Sequence, residues 1–258
     1  MRYPLIVGNW KLNGTKYIVN EMISVLNYNL KKIKKKCNVV ITPPYVYIYI
    51  AQKKIYKSNI IIGSQDVDIH LFGSFTGETS AKMLKDIGVK YTIIGHSERR
   101  INHNENDEII IKKISLLKKE SIIPIVCIGE NLEDKKNGKT KKICINLIDK
   151  IVKKLGIESL YNTVIAYEPL WAIGNNQSAK PNYVQEISKY IRDHISKYDL
   201  EISKKIIIQY GGSVNHINAS SYLQKPDIDG LIIGNTSLNP NYFTEIVKSA
   251  IKEKFLIK

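Results

Sequence analysis

Eight short apolar runs, spread along the whole chain, limit its possible folds more than any other feature. They are Leu5–Val7, Val39–Ile41, Ile60–Ile62, Tyr91–Ile94, Ile122–Val126, Val164–Ala166, Ile206–Ile208 and Leu231–Ile233. Each is rich in β-branched residues and nearly free of polar alternation, so each reads as a strand buried on both faces, as in a parallel sheet. Between most of them lies a longer segment with helical spacing. Ile18, Met22, Val25 and Leu26 fall on one helical face, as do Ile109, Ile110, Ile114 and Leu117. The same holds for Ile143, Leu147, Ile148 and Ile151, and for Ile187, Ile191 and Ile195. Strand then helix, eight times in 258 residues, predicts an α/β fold: one closed (β/α)8 barrel, eight parallel strands with outer helices, occupying 1–258 as one domain. A doubly wound sheet is the rival, but it needs no eighth strand, and no GxGxxG follows the first run. No linker or composition break divides the chain.

In such a barrel, chemistry gathers where strands end and loops begin. Asn9 and Lys11 follow the first run, two apart and so on one side of a strand. Gly95, His96, Ser97 and Glu98 follow the fourth. Cys127 closes the fifth, and Glu168 follows the sixth. Gly211-Gly212-Ser213 follow the seventh and Gly234-Asn235 the eighth. The sixth run is the most informative. It delivers one carboxylate, Glu168, and is stopped by Pro169, which cannot continue a ladder. An apolar tip, Leu170 to Ile173, comes next, then Gly174, Asn175 and Asn176, which tolerate unusual backbone angles. A lone acid beside an apolar segment with hinge-like flanks is the pattern of a lid that sheds water over a catalytic base. An ordinary strand end with a surface Glu is the plainer alternative.

Composition narrows the rest. The formal charge is +15, from 39 Lys+Arg against 24 Asp+Glu. The lysines are spread through helix-like segments and no aromatics alternate with them, so a solvated basic surface is expected and a nucleic-acid partner is not. No run of about 18 apolar residues indicates a membrane span. The N-terminus enters a strand-like run without a signal-peptide pattern. Cys37, Cys127 and Cys144 are too few and too scattered for a disulfide framework or a zinc site, so a reducing cytoplasm and no metal are expected.

GNWKLNG, FTGETSA, IIGHSERR, AYEPLWAIG, YGGSV and DGLIIGN stand in the order and spacing of the triosephosphate isomerase family, which this chain resembles from Arg2 to about residue 250. The resemblance implies interconversion of dihydroxyacetone phosphate and glyceraldehyde 3-phosphate through an enediolate, without a cofactor. It implies Glu168 as base, since a carboxylate pressed under an apolar lid is desolvated and more basic. Ile173 and Ile232 match the clamp around it. His96 matches the electrophile, its ring kept neutral near a helix start; that pairing is itself a standard worked case for this family. Lys11 matches the cation that steadies developing charge, Asn9 its positioner and Glu98 its second partner. Backbone N–H groups of Gly174, Ser213, Gly234 and Asn235 would hold the phosphate. Cys127 would pack against Glu168, and Tyr210 would latch the shut lid at Ala179. Phe72–Ser80 matches a loop that plugs a second subunit, with Thr76 near the partner's site and Gln65 in the surrounding interface, so a homodimer is implied. Apolar Phe72 and Phe75 on a polar loop fit that use.

Two departures stand out. Asn175-Asn176 replace the Thr-Gly usual after Gly174, and Asn235 replaces a second glycine, bringing a Cβ towards the phosphate. Modestly weaker phosphate binding is expected. Two other readings compete: a Schiff-base aldolase, for which Lys11 is the only candidate lysine, and a decayed or repurposed barrel acting as an anion-binding protein.

Overall fold

The computed structural model describes residues 2–31, 36–55, 58–174 and 177–255. Eight strands form one closed, all-parallel barrel in sequence order: β1 Leu5–Asn9, β2 Asn38–Thr42, β3 Ile60–Ser64, β4 Tyr91–Ile94, β5 Ile123–Ile128, β6 Val164–Tyr167, β7 Ile207–Gly211 and β8 Gly230–Ile233. The expected runs are all strands, and most extend further at their C-terminal ends. Ile122 and Ile206 are the exceptions: each lies just before its strand, β5 beginning at Ile123 opposite Tyr91 and β7 at Ile207.

Helices cover the outside. They are α1 Lys16–Lys31, α2 Tyr45–Lys54, α3 Ala81–Asp86, α4 Ser97–Asn102, α5 Asp107–Lys119, α6 Leu132–Lys136, α7 Thr140–Leu155, α8 Pro181–Ser196, α9 Leu200–Lys205, α10 Ala219–Leu223 and α11 Pro240–Phe255. Short polar side chains start several of them. Ser80 accepts from the Met83 N–H, Asn106 from Ile109 and Asp199 from Ile202, each satisfying a donor the first turn leaves open. The buried face of α1 is Val19, Met22, Ile23, Leu26 and Leu30. That is one residue round from the expected stripe: Ile18 is exposed and Val25 half-buried. Ile109 and Ile143 are likewise only half-buried, while Ile187, Ile191 and Ile195 all face the core.

Alternation divides the strands between two apolar cores. Leu5, Val7, Val40, Ile93, Ile125, Val164, Ala166 and Ile232 fill the barrel. Their neighbours Ile6, Ile41, Ile94, Val126, Ile165 and Ile208 pack outwards against the helices. One buried polar side chain crosses the closing seam. Gln209 on β7 donates to the Leu5 carbonyl of β1 at 2.8 Å and to the Leu231 carbonyl of β8 at 3.3 Å. It passes over Gly230, where a Cβ would lie 1.9 Å from the Leu5 oxygen. The barrel therefore closes at a position only glycine can occupy.

Candidate active site

At the C-terminal ends of the strands a cavity of about 290 Å³ opens into the barrel. Asn9, Lys11, His96 and Glu168 line it, and Ile173 and Ile232 supply its apolar walls. Gly174, Ser213, Gly234 and Asn235 line it as well. The sequence motifs did not single out Asn218 or Thr236, which complete the same rim. Glu98, Cys127, Tyr210, Gln65 and Thr76 are not part of this lining.

Glu168 lies one residue past β6 and is 4 % exposed; its N–H is fixed on the Ile128 carbonyl at 2.7 Å. Its Oε2 is buried without a hydrogen-bond partner among the described residues. That oxygen lies 3.7 Å from His96 Nε2. Room for the carboxylate comes from β7: a Cβ on Gly211 would meet Glu168 Cγ at 2.6 Å and Ile232 Cγ2 at 2.6 Å. Cys127 packs beside it. Burial first, then the Glu168 charge, pushes the thiol well above its ordinary range, so it stays protonated.

His96 precedes α4 and is 6 % exposed. Its Nδ1 accepts the Glu98 N–H at 3.3 Å, at the start of that helix. An accepting Nδ1 carries a lone pair, which leaves the ring proton on Nε2, the nitrogen facing Glu168. The preceding peptide is clamped from both sides. Gly95, at φ +68°, donates to Glu105 Oε1 at 3.0 Å, and its carbonyl accepts from Arg100 at 3.0 Å. Glu105 belongs to a buried charge cluster. Lys113 donates to it at 2.9 Å and to Asp66 at 2.6 Å, and Arg99 bonds Glu105 at 2.8 Å and Asp66 at 2.7 Å.

Lys11 reaches the cavity by a different route from strand alternation. β1 ends at Asn9, and Lys11 adopts a left-handed φ of +51°. Two bonds hold this uncommon conformation: its N–H donates to Asn9 Oδ1 at 3.0 Å, and its carbonyl accepts from Gln65 at 2.8 Å. Its ammonium pairs with Glu98. Gln65 thus supports the loop carrying Lys11, while Thr76 lies exposed on the loop before α3.

The segment after Glu168 contributes Ile173 and Gly174 to the mouth, and residues on either side of Asn175-Asn176 are anchored. Trp171 Nε1 donates to the buried Glu130 at 2.8 Å, which also accepts from Tyr167 at 3.2 Å. The Lys135 ammonium sits 3.2 Å over the Trp171 ring. At the far end Ala179 donates to the Tyr210 hydroxyl at 2.9 Å, the expected latch, and accepts from the Tyr222 hydroxyl at 2.6 Å. Asn175 and Asn176 lie outside the described residues. Glycine-rich turns suit a dianion best where they open onto a helix start, and neither phosphate turn here does so. Gly211-Gly212-Ser213 do not open directly onto a helix, since α10 begins only at Ala219, and Gly234-Asn235 enter a short 3₁₀ turn. The Ser213 N–H is also already engaged, donating to the Ala172 carbonyl at 2.9 Å. No group of three or more metal-binding side chains occurs among the described residues.

A closed barrel that gathers a buried carboxylate, a neutral imidazole and a lysine around one mouth defines a proton-transfer enzyme of the (β/α)8 class. The family model described as triosephosphate isomerase matches residues 4–250. The triosephosphate isomerase of Photorhabdus laumondii is 50 % identical over 254 residues, covering 98 % of this chain and 99 % of the relative. That of Sodalis glossinidius is 49 % identical over 254 residues, with the same coverage. The Salmonella newport protein of that name is 49 % identical over 250 residues, 97 % of this chain and 98 % of its own. The chain belongs to the triosephosphate isomerase family.

The clamp on Gly95 gives a test. Burial raises the Glu105 carboxyl, but the bond and charge of Lys113, with Arg99, outweigh it and leave the group below its ordinary 4.5. A depressed carboxylate stabilises the fold above its unfolded value and stops doing so as pH falls through the folded one. Glu105→Gln is expected to cost about 3 kcal/mol at neutral pH, because the buried Lys113 and the half-buried Arg99 lose a compensating charge. Urea unfolding should show this gap narrowing below about pH 4.5; a gap constant down to pH 3 would contradict the assignment.

Proposed function

We propose that this chain is a triosephosphate isomerase, interconverting dihydroxyacetone phosphate and D-glyceraldehyde 3-phosphate in glycolysis and gluconeogenesis. The observation that carries the reading is the buried Glu168 Oε2 beside His96 Nε2 in one cavity that Lys11 also enters. Glu168 takes a proton from the carbon next to the substrate carbonyl. The Nε2–H of His96 donates to the carbonyl oxygen as it gains negative charge, and Lys11 steadies that charge. Glu168 then returns the proton to the neighbouring carbon, while His96 Nε2 gives its proton to the former carbonyl oxygen and takes the one from the former hydroxyl, so carbonyl and hydroxyl exchange places with no net change in redox state. Asn9 holds Lys11 through its backbone, and Glu98 holds its ammonium. Ile173 and Ile232 keep water from the carboxylate.

The phosphate goes to Gly174, Gly234 and Asn235, with the Ser213 N–H joining them only by leaving Ala172. Cys127 supports Glu168, and Tyr210 sets the far end of the lid. Every step is served by side chains and backbone, so no cofactor is invoked. We read 1–258 as one barrel domain, working in the cytoplasm. No helix among the described residues is long and apolar enough to cross a membrane. The aldolase reading is weakened because Lys11 is paired with Glu98, and the buried Lys113 lies on an outer helix between two carboxylates. Nothing favours the anion-binding alternative.

The loop before α3 supports a homodimer. Phe72 is 85 % exposed there, and Phe75 stacks on His70 at 3.5 Å between ring centres. Leu12, Val46, Tyr49 and Met83 add further exposed apolar surface. Thr76 is the tip that would approach the partner's mouth, and Gln65 lies at the base of the contact.

In a coupled assay on dihydroxyacetone phosphate, Glu168→Gln should lower kcat by about a thousandfold or more; retained turnover would remove Glu168 from the base role. Asn235→Gly should tighten competitive inhibition by inorganic phosphate about threefold, and an unchanged inhibition constant would show the extra Cβ to be harmless. Sedimentation of wild type should give a dimer that Phe72→Asp shifts towards monomer. A monomeric wild type would exclude the assembly.

A further inference from the structure

A second cavity, of about 230 Å³, opens at the opposite end of the barrel. Its walls include Leu5, Tyr91, Ile123, Val164 and Ile207, the first residues of five strands. Barrel floors are normally filled by a layer of branched side chains. Here Ile61, Ile123 and Ile207, which close the inner core at this end, are only half-buried. Concave apolar surface is therefore left open to solvent.

The polar groups at this floor point the same way. Tyr91 projects from the inner core, is 9 % exposed, and its hydroxyl makes no hydrogen bond to any described residue. That hydroxyl is not one of the buried atoms left without a partner, so it opens onto the cavity, where a ligand oxygen can bond it. The Asn38 side chain, also on the lining, makes none either. Lys205 stands at the rim with no carboxylate of the described residues within 4.0 Å, its ammonium 6.0 Å from the Tyr161 ring. The lining holds this one cation and no acid. The wall formed by Tyr161 and Asn162 is pinned from behind, where Lys118 donates to their carbonyls at 2.5 and 3.0 Å.

We propose that this floor cavity is a second small-molecule site, taking a compact organic monoanion: one carboxylate on an apolar or aromatic body. The carboxylate pairs with Lys205 and accepts from Tyr91 and Asn38, and the body covers Leu5, Ile123, Val164 and Ile207. A phosphate dianion suits the mouth, with its backbone donors, and not this single lysine among aliphatic walls. The volume lies below the roughly 300–1,000 Å³ of pockets for drug-sized ligands, which limits the occupant to about one ring or a short branched chain.

Benzoate is the probe, titrated into the full chain and followed by ligand-observed NMR. Saturable binding is expected, and inorganic phosphate at a concentration that inhibits turnover should leave it in place. Lys205→Gln, at an exposed position, should fold normally, keep its isomerase turnover, and bind benzoate about tenfold more weakly through loss of a charged hydrogen bond. Tyr91→Phe should also weaken it, and neutral benzamide should bind less well than benzoate to wild type. Displacement by phosphate, equal affinity in wild type and Lys205→Gln, or no saturable binding would each overturn the proposal.

Discussion

Along a strand, neighbouring side chains have no choice but to face opposite sides, and the mouth of this barrel depends on that constraint. In β6, Val164 and Ala166 point into the barrel while Ile165 and Tyr167 point out to the helices. Glu168 is the next inward position, so the alternation that fills the core also carries a carboxylate to the top of it. Leu5 and Val7 precede Asn9 in the same way, and Ile232 precedes Gly234. The acid can stand in that layer because β7 offers Gly211 beside it. Chemistry here is the uppermost layer of the packing, with polar groups where an apolar layer would otherwise continue.

The imidazole is placed by a different device. His96 sits in a turn, and turns are soft unless their peptides are held. The Gly95 peptide is bonded on one side by Glu105 and on the other by Arg100, and the ring accepts from the first turn of α4. Orientation and tautomer are therefore both set by fixed donors, with no reorganisation needed when charge develops on the substrate. The buried charges of Asp66, Glu105 and Lys113, with the half-buried Arg99, form the base of this arrangement. Asp66 lies directly after Gln65, which holds the Lys11 loop, so the supports of the imidazole and of the ammonium meet in adjacent residues.

Much of this was legible in the residues. The strands were visible because both their faces are apolar, and the mouth was visible because polar residues interrupt that pattern at strand ends. The supports were hidden. Lys113 belongs to a lysine-rich amphipathic helix, and nothing local separates it from the exposed Lys112 beside it; only the arrival of Asp66 and Glu105 from other elements makes it a buried charge. Gln209 looks like any polar residue in an apolar run until the seam it crosses is known. The buried stripe of α1 lies one residue round from the one its spacing suggests, because Ile18, Val19, Met22, Ile23, Val25 and Leu26 offer two overlapping apolar faces, and packing selects between them. Lys11 defeated the strand rule because its backbone turns left-handed just beyond β1.

The seam bears on how the molecule comes to be made. Arg2 reaches Asp229 at 2.5 Å, 227 positions along the chain, and β1 has β8 as one of its two neighbours. During synthesis β1 therefore waits with one edge unpaired until nearly the whole polypeptide has emerged. Contacts so distant in sequence form slowly, and an open strand edge invites association with other chains. With Gln209 binding carbonyls on both sides of that junction, the last quarter of the chain acts as the clasp, and truncations there would expose two edges at once.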